Sequence, residues 1–302
     1  MIELTDTNAA KIAAAFAQSR RLDASPAMGM VMTLVIVVDE DHAHEAIRCA
    51  QSASHEHPAR VLAVILGDGR GRPKISAQVG VGEGWTGETA LIRLGGEVVK
   101  HPASVVLPLL LPDSPVVVWW PTDHPEDPAN DPLGALAQRR ITDASAVTTG
   151  KTTALKRVCR TYSPGTSDLA WTRLTLWRAM LAAALDHQHV RVTRASVTAE
   201  RISPSADLMV AWLSWRLKVP VERITSAGPG ITDVVLETTQ GPIEIRRGDG
   251  RLATFSSPDR PDRPLALRRR ELPELLAEEL RHLDEDDVFA ELVKRILTSP
   301  TR

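Results

Sequence analysis

Gly82-x-Gly84-x-x-Gly87 has the glycine spacing that lets a dinucleotide pyrophosphate approach the first turn of a helix. That chemistry requires a helix directly after the glycines, whereas Leu91, Arg93 and Gly95 alternate with Ile92 and Leu94 as in a strand. A turn between strands is expected there. Gly150-Lys151-Thr152 matches the end of a phosphate loop, but Ser145 stands where the first glycine belongs, so an ordinary turn is expected again. Three His-x-His pairs, His42/His44, His55/His57 and His187/His189, can chelate a metal only from one face of a strand. The first two lie in a helical segment, where residues two apart diverge, so surface or helix-end histidines are expected. Gly-x-Ser-x-Gly is absent, and Arg247-Gly248-Asp249 reads as a hairpin turn. From these motifs no catalytic residue, no metal ligand and no cofactor-binding residue is expected.

The aromatic usage is the unusual feature. Seven tryptophans (85, 119, 120, 171, 177, 212 and 215) stand against one tyrosine and three phenylalanines. Tryptophan combines a large apolar area with one donor, which suits it to cores and to interface anchors alike. A helix read from Asp168 to Leu185 places Asp168, Thr172, Thr175 and Arg178 on a narrow polar stripe, with Arg173 opposite, beside Trp177 and Met180. An arginine there is either buried and paired or faces another molecule; Asp113, Asp143 and Asp168 are the candidate partners within the chain. Trp119 and Trp120 end a β-branched run, so their indoles point to opposite faces of a sheet. One packs inward, and the other can line a groove or meet a partner, together with Arg139 and Arg140 at the end of the next helix.

The elements that would position these residues read as an α/β protein of two domains. A helix from Asp6 to Leu22 comes first; Met30–Val38, a helical His42–His57 and Arg60–Leu66 then make a parallel βαβ unit. Ile75–Val81 and Glu88–Leu94 read as exposed antiparallel strands, and His101–Leu111 as a short helix. Pro115–Trp120 is a buried strand, and Asp131-Pro132 opens a helix through Arg140. Thr142–Ser167 is polar and turn-rich, with Tyr162-Ser163-Pro164-Gly165 as its stop signal. The expected domains are therefore 1–165, a mixed sheet with βαβ units and flanking helices, and 166–302, an α+β domain ending in two helices.

Composition limits the partners. The chain has 302 residues, 36 Lys plus Arg against 38 Asp plus Glu and a net charge of -2, so no basic excess points to nucleic acid or an anionic membrane. The apolar stretches are short or broken by proline, and Cys49 and Cys159 cannot build a disulfide scaffold. A soluble, cytoplasmic protein is expected.

Four stretches, SVVLPLLLPDSPVVVWWP (104–121), DPLGALAQRRITDA (131–144), DLAWTRLTLWRAMLAAALD (168–186) and SAGPGIT (226–232), together with ELLAEELRHLD (274–284), resemble the OpcA family of glucose-6-phosphate dehydrogenase assembly proteins. The 29 arginines against 7 lysines fit its actinobacterial branch. Where that family carries a proline before the second tryptophan of the third stretch, Leu176 stands here, which lets a helix run through. The resemblance implies a non-enzymatic allosteric activator. It would bind glucose-6-phosphate dehydrogenase, promote its active oligomer and serve NADPH supply in the oxidative pentose phosphate pathway. The partner surface expected with it is Trp119, Trp120, Arg139, Arg140, Asp168, Trp171, Arg173 and Trp177. Two other classes remain open: a sugar-phosphate- or nucleotide-binding α/β enzyme, and a sensor whose bound sugar phosphate shifts the state that binds the dehydrogenase.

Overall fold

The structure, a computed structural model, describes residues 1–22, 29–81, 87–188, 190–248, 251–258 and 260–298. Trp85 and the first two glycines of the Gly82-x-Gly84-x-x-Gly87 motif lie outside these residues, as do His189 and Asp249.

In chain order, β1 (Ile2–Leu4) and α1 (Ala9–Leu22) precede β2 (Met32–Val38), α2 (Glu40–Ser54) and β3 (Ala59–Leu66). Next come β4 (Lys74–Val81), β5 (Glu88–Gly95), α3 (Pro102–Val106), β6 (Val116–Trp119) and β7 (Arg139–Thr142). They are followed by α4 (Lys151–Arg160), β8 (Thr166–Asp168), α5 (Leu169–Thr172) and α6 (Thr175–Gln188). Then β9 (Val192–Glu200), α7 (Pro204–Leu217), β10 (Val221–Ser226), β11 (Ile231–Thr238) and β12 (Gly241–Arg246) follow. The chain closes with β13 (Ala253–Ser257), β14 (Arg260–Leu265), α8 (Leu272–Arg281) and α9 (Asp287–Thr298). None of the described helices is long and apolar enough to cross a membrane.

These elements make an α/β protein with two sheets, in two compact units. The first holds residues 1–148, 161–167 and 272–286, the second 149–160, 168–271 and 287–302. Beside the single cut after residue 165 expected from the turn signals, residues 149–160 thus lie with the later unit and residues 272–286 with the earlier one.

In the first unit the sheet order is β1-β4-β5-β3-β2-β6-β7-β8. The β5-β3, β3-β2, β2-β6 and β6-β7 pairs are parallel, as the βαβ reading requires. Every residue of β2 is buried, the mark of a strand covered on both faces. Alternation sorts the faces: Val35, Val37, Leu62, Val64, Val116 and Val118 join Ile12 and Phe16 of α1 in one core. The intervening Leu34, Ile36, Ala63 and Val117 are equally buried. Asp39 caps α2, its Oδ1 accepting the His42 N–H at 2.9 Å, and α8 packs on α2 with His57 Nε2 3.0 Å from the Ala277 carbonyl. The β4 and β5 strands do pair antiparallel. β5 is not exposed as expected, however, because its other edge pairs with β3 and Ala90, Ile92 and Leu94 enter the core. At its start Glu88, 1% exposed, holds the buried Arg60 through Nε at 2.7 Å and also receives Arg20.

The second unit has a six-stranded sheet, β10-β9-β11-β12-β13-β14, parallel between β10 and β9 and antiparallel elsewhere. Ala195, Val197, Val234, Leu236, Ile243 and Ile245 form its buried face, and α7, capped by Ser203 and started by Pro204, packs on β9 and β10. The rims differ: β14 carries Pro261 and Pro264 among Arg260, Asp262 and Arg263, whereas β10 contains no proline.

Two expected elements are otherwise in the structure. Beyond Asp131, Gly134–Leu136 forms only a short 3-10 turn, and Arg139–Thr142 is strand, not the end of a helix. Pairing wins there, since Gln138 N–H donates to the Val116 carbonyl at 3.0 Å and its Oε1 accepts from Val116 N–H at 2.7 Å. The polar Thr142–Ser167 stretch contains α4, whose buried face is only Ala154, Leu155, Val158 and Cys159.

Candidate functional site

Arg139 and Arg140, on adjacent positions of β7, leave the strand on opposite faces, and both are buried, 3% and 7% exposed. Arg139 Nη2 lies 2.7 Å from Glu279 Oε2 of α8, and its Nη1 donates to the Asp284 carbonyl at 3.1 Å. The same Glu279 oxygen accepts from Ser167 Oγ at 2.6 Å. Arg140 instead donates to the Ala137 carbonyl at 2.8 Å, to the Pro164 carbonyl and to the Thr166 hydroxyl at 3.1 Å. Pro164 reaches it because Gly165 turns the chain at φ +82°, where an added Cβ would stand 2.2 Å from the Gln138 carbonyl. Nearby, Tyr162 donates to Glu285 at 2.7 Å; burial, then that carboxylate, pushes its hydroxyl pKa well above the usual phenol range.

The single helix expected from Asp168 is two, α5 and α6: between them Leu174 N–H bonds the Trp171 carbonyl three residues back at 2.9 Å, and the Thr172 carbonyl accepts from Arg270. Its supposed polar stripe is inside. Asp168, fully buried, caps α5 by accepting the Ala170 N–H at 2.8 Å, and Thr172 is 1% exposed. Trp171 lies between the Phe289 ring, 5.6 Å away, and the Arg178 guanidinium, 3.7 Å over its face. Trp177 carries Arg247 at 5.0 Å; the guanidinium also donates to the Ile231 and Leu267 carbonyls, at 3.1 and 3.2 Å. Burial, and Arg269 beside it, lower the Arg247 pKa to about 10.

Of the eight residues expected on a partner surface, seven are therefore interior: Trp119, Trp120, Arg139, Arg140, Asp168, Trp171 and Trp177. Their polar groups prefer internal acceptors, which a folded chain must supply once such groups leave water. Arg173 alone is partly exposed. Trp119 and Trp120 do point to opposite faces, Trp120 into the α1 core; the Trp119 indole N–H is buried with no acceptor among the described residues. Two tryptophans left unassigned by the sequence, Trp212 and Trp215, are partly exposed on α7, with Arg216 5.1 Å over the Trp215 ring. Their spacing of three was the available signal. Glu279 was legible too, as a glutamate one turn from Leu275 and from Leu283 on an apolar stripe.

A cavity of about 430 Å³ opens at the C-terminal ends of the parallel strands in the first unit. Val38 ends β2 there and Asp39 follows it, Leu66 ends β3, Trp120 and Asp123 follow β6, and Asp131 joins from the proline-rich loop. Since β3 and β6 leave β2 on opposite sides, this is the place where the strand order reverses and where open α/β sheets hold ligands.

No disulfide joins Cys49 and Cys159, and both are buried. Burial, then the Asp168 carboxylate, pushes the Cys159 thiol up to about 12. The thiolate is the nucleophile, so native protein at pH 8 is expected to leave Cys159 unalkylated by iodoacetamide and to label it only after denaturation, read by peptide mass. The unfolded thiol ionises near 9, so this group lowers stability as pH rises from there toward its folded value. Among the described residues no group of three or more His, Cys, Asp or Glu side chains is arranged to hold a metal.

No curated protein sequence matches the chain significantly. Similar folds occur in a 3-ketoreductase from Actinomadura kijaniata, crystallised with TDP-benzene and NADP, and in an oxidoreductase from Sinorhizobium meliloti. Identity is 10% in both, over 88% of this chain and 95% of theirs, at TM-scores of 0.49 and 0.45. At those values neither likeness bears on function. The family profiles are more specific. The glucose-6-phosphate dehydrogenase subunit N-terminal domain matches residues 50–160 and the corresponding C-terminal domain residues 164–293. With both matched along most of its length, the chain belongs to the OpcA family of glucose-6-phosphate dehydrogenase assembly proteins.

Proposed function

We propose that this protein binds glucose-6-phosphate dehydrogenase as a non-enzymatic assembly factor, promotes its active oligomer and raises its activity allosterically, supporting NADPH supply in the oxidative pentose phosphate pathway. The observation that carries this is the match of both family domains in order along the chain. The buried arginines and tryptophans act in this reading as a frame that shapes the surface, and contact passes through Arg173, Trp212 and Trp215, which reach solvent. Tryptophan and arginine at a desolvated contact are the residue types that dominate binding energy. Localisation in the cytoplasm, with the enzyme, belongs to the same proposal.

Mixed at micromolar concentration, chain and dehydrogenase are expected to co-elute, with activity above that of the enzyme alone. The chain alone, given glucose 6-phosphate and NADP, is expected to reduce nothing. Arg173→Glu and Trp215→Ala should each weaken the complex about tenfold. Separate elution, or turnover by the isolated chain, overturns the function; unchanged affinity in both variants overturns the contact.

A further inference from the structure

The cavity at the ends of β2, β3 and β6 has the location of a ligand site but an unusual charge. Anions at such places are held by a glycine turn and the free N–H groups of the helix that follows. Here the turn into α2 reads Val38-Asp39-Glu40-Asp41, without glycine. Asp39 already accepts the His42 N–H, and its carboxylate also binds the His42 ring at 2.8 Å. Glu40, paired with Arg93 at 3.0 Å, and Asp41 follow in the same helix turn, so an incoming phosphate meets a carboxylate where it needs donors.

Two further carboxylates line the cavity, beside Thr122. Asp123 is held by the Thr148 N–H at 3.0 Å and hydroxyl at 2.8 Å, and Asp131 by the Leu133 and Gly134 N–H groups at 2.9 and 3.1 Å. Hydrogen bonds of this kind hold the two carboxylates in place. Lys100, the cation of the lining, is bonded to Glu97 at 3.2 Å and is 62% exposed. Between the carboxylates the walls are apolar, formed by Val38, Leu66, Trp120 and Leu133.

We propose that this cavity binds a guanidinium or ammonium group on a short aliphatic stem, the cation facing Asp39, Asp123 and Asp131 and the stem lying along Trp120 and Leu133. Fixed carboxylates supply charge-assisted acceptors for such a head group, and the apolar walls take up methylenes. A sugar phosphate or dinucleotide, the ligand of an ordinary site at this position, is excluded by the same charges. Two sources share the chemistry: a free amine metabolite, or a lysine or arginine side chain presented by the partner protein.

The test is calorimetry of the isolated full-length chain with agmatine, glucose 6-phosphate and NADP at matched ionic strength. Agmatine is expected to bind one to one and the two phosphates not at all. Asp131→Asn keeps the one oxygen that accepts both N–H groups, and Asp123→Asn keeps the acceptor for the Thr148 N–H while its new amide N–H can donate to the Thr148 hydroxyl; each should weaken agmatine about tenfold, with unchanged thermal melting as the control for folding. Displacement of bound dehydrogenase by agmatine identifies a partner side chain as the occupant; an unaffected complex identifies a free amine. Absence of agmatine binding, equal binding by both variants, or binding of either phosphate overturns the assignment. Because the titration needs no dehydrogenase, its failure leaves the assembly reading standing.

Discussion

Replacing Glu279 with alanine is expected to destabilise the first unit by about 3–5 kcal/mol, the cost of leaving a buried charge without its counter-ion. Arg139 and Glu279 side chains are 4% and 8% exposed and 2.7 Å apart. Glu279 also receives Ser167 Oγ, so its loss strands two donors in the interior. Urea unfolding of the full chain checks this through a fall in the midpoint of the transition that reports on the first unit. Joint replacement, Arg139→Met with Glu279→Leu, should recover most of the loss because it removes both charges together. A loss below about 1 kcal/mol for Glu279→Ala would mean that water reaches the pair and screens it, as at exposed ion pairs.

Trp171→Ala is expected to have an effect of the same size in the second unit, about 3–5 kcal/mol, from lost burial and the cavity left behind. The indole is 1% exposed and joins α5, α6 and α9 through Phe289 and Arg178. Its removal takes away the ring on which Arg178 rests, so Trp171→Phe should restore more of the stability than Trp171→Leu. Differential scanning calorimetry reads both comparisons. Equal losses for phenylalanine and leucine would show that volume alone matters at this position, without the cation–π contact.

The fold was legible where local pattern and burial agree. An unbroken β-branched run such as Met32–Val38 can be little else than a covered strand, and strand-helix-strand order gave the parallel sheet. Arg139 and Arg140 were misread because Asp131-Pro132 looks like a helix start, while the pairing of their strand with β6 depends on residues more than 20 positions away. The same blindness to distance explains the tryptophan and arginine set. Residue type marked these positions as unusual, but their partners, Glu279 for Arg139 and Phe289 for Trp171, lie over a hundred residues downstream. A tryptophan that anchors an interface and one that anchors a core have the same composition and spacing. The cavity, too, was hidden from the sequence, being assembled from four loops that only the sheet order brings together.

The unequal rims of the six-stranded sheet limit how this unit can grow by strand addition. Polymerisation through backbone pairing needs two competent ends, one to receive and one to offer. Prolines without N–H groups and alternating charges make β14 a poor template, while β10 contains no proline and so has an N–H on every residue. Any added strand therefore joins at β10, and two copies meeting there would cap each other, closing a finite pair instead of seeding a fibre.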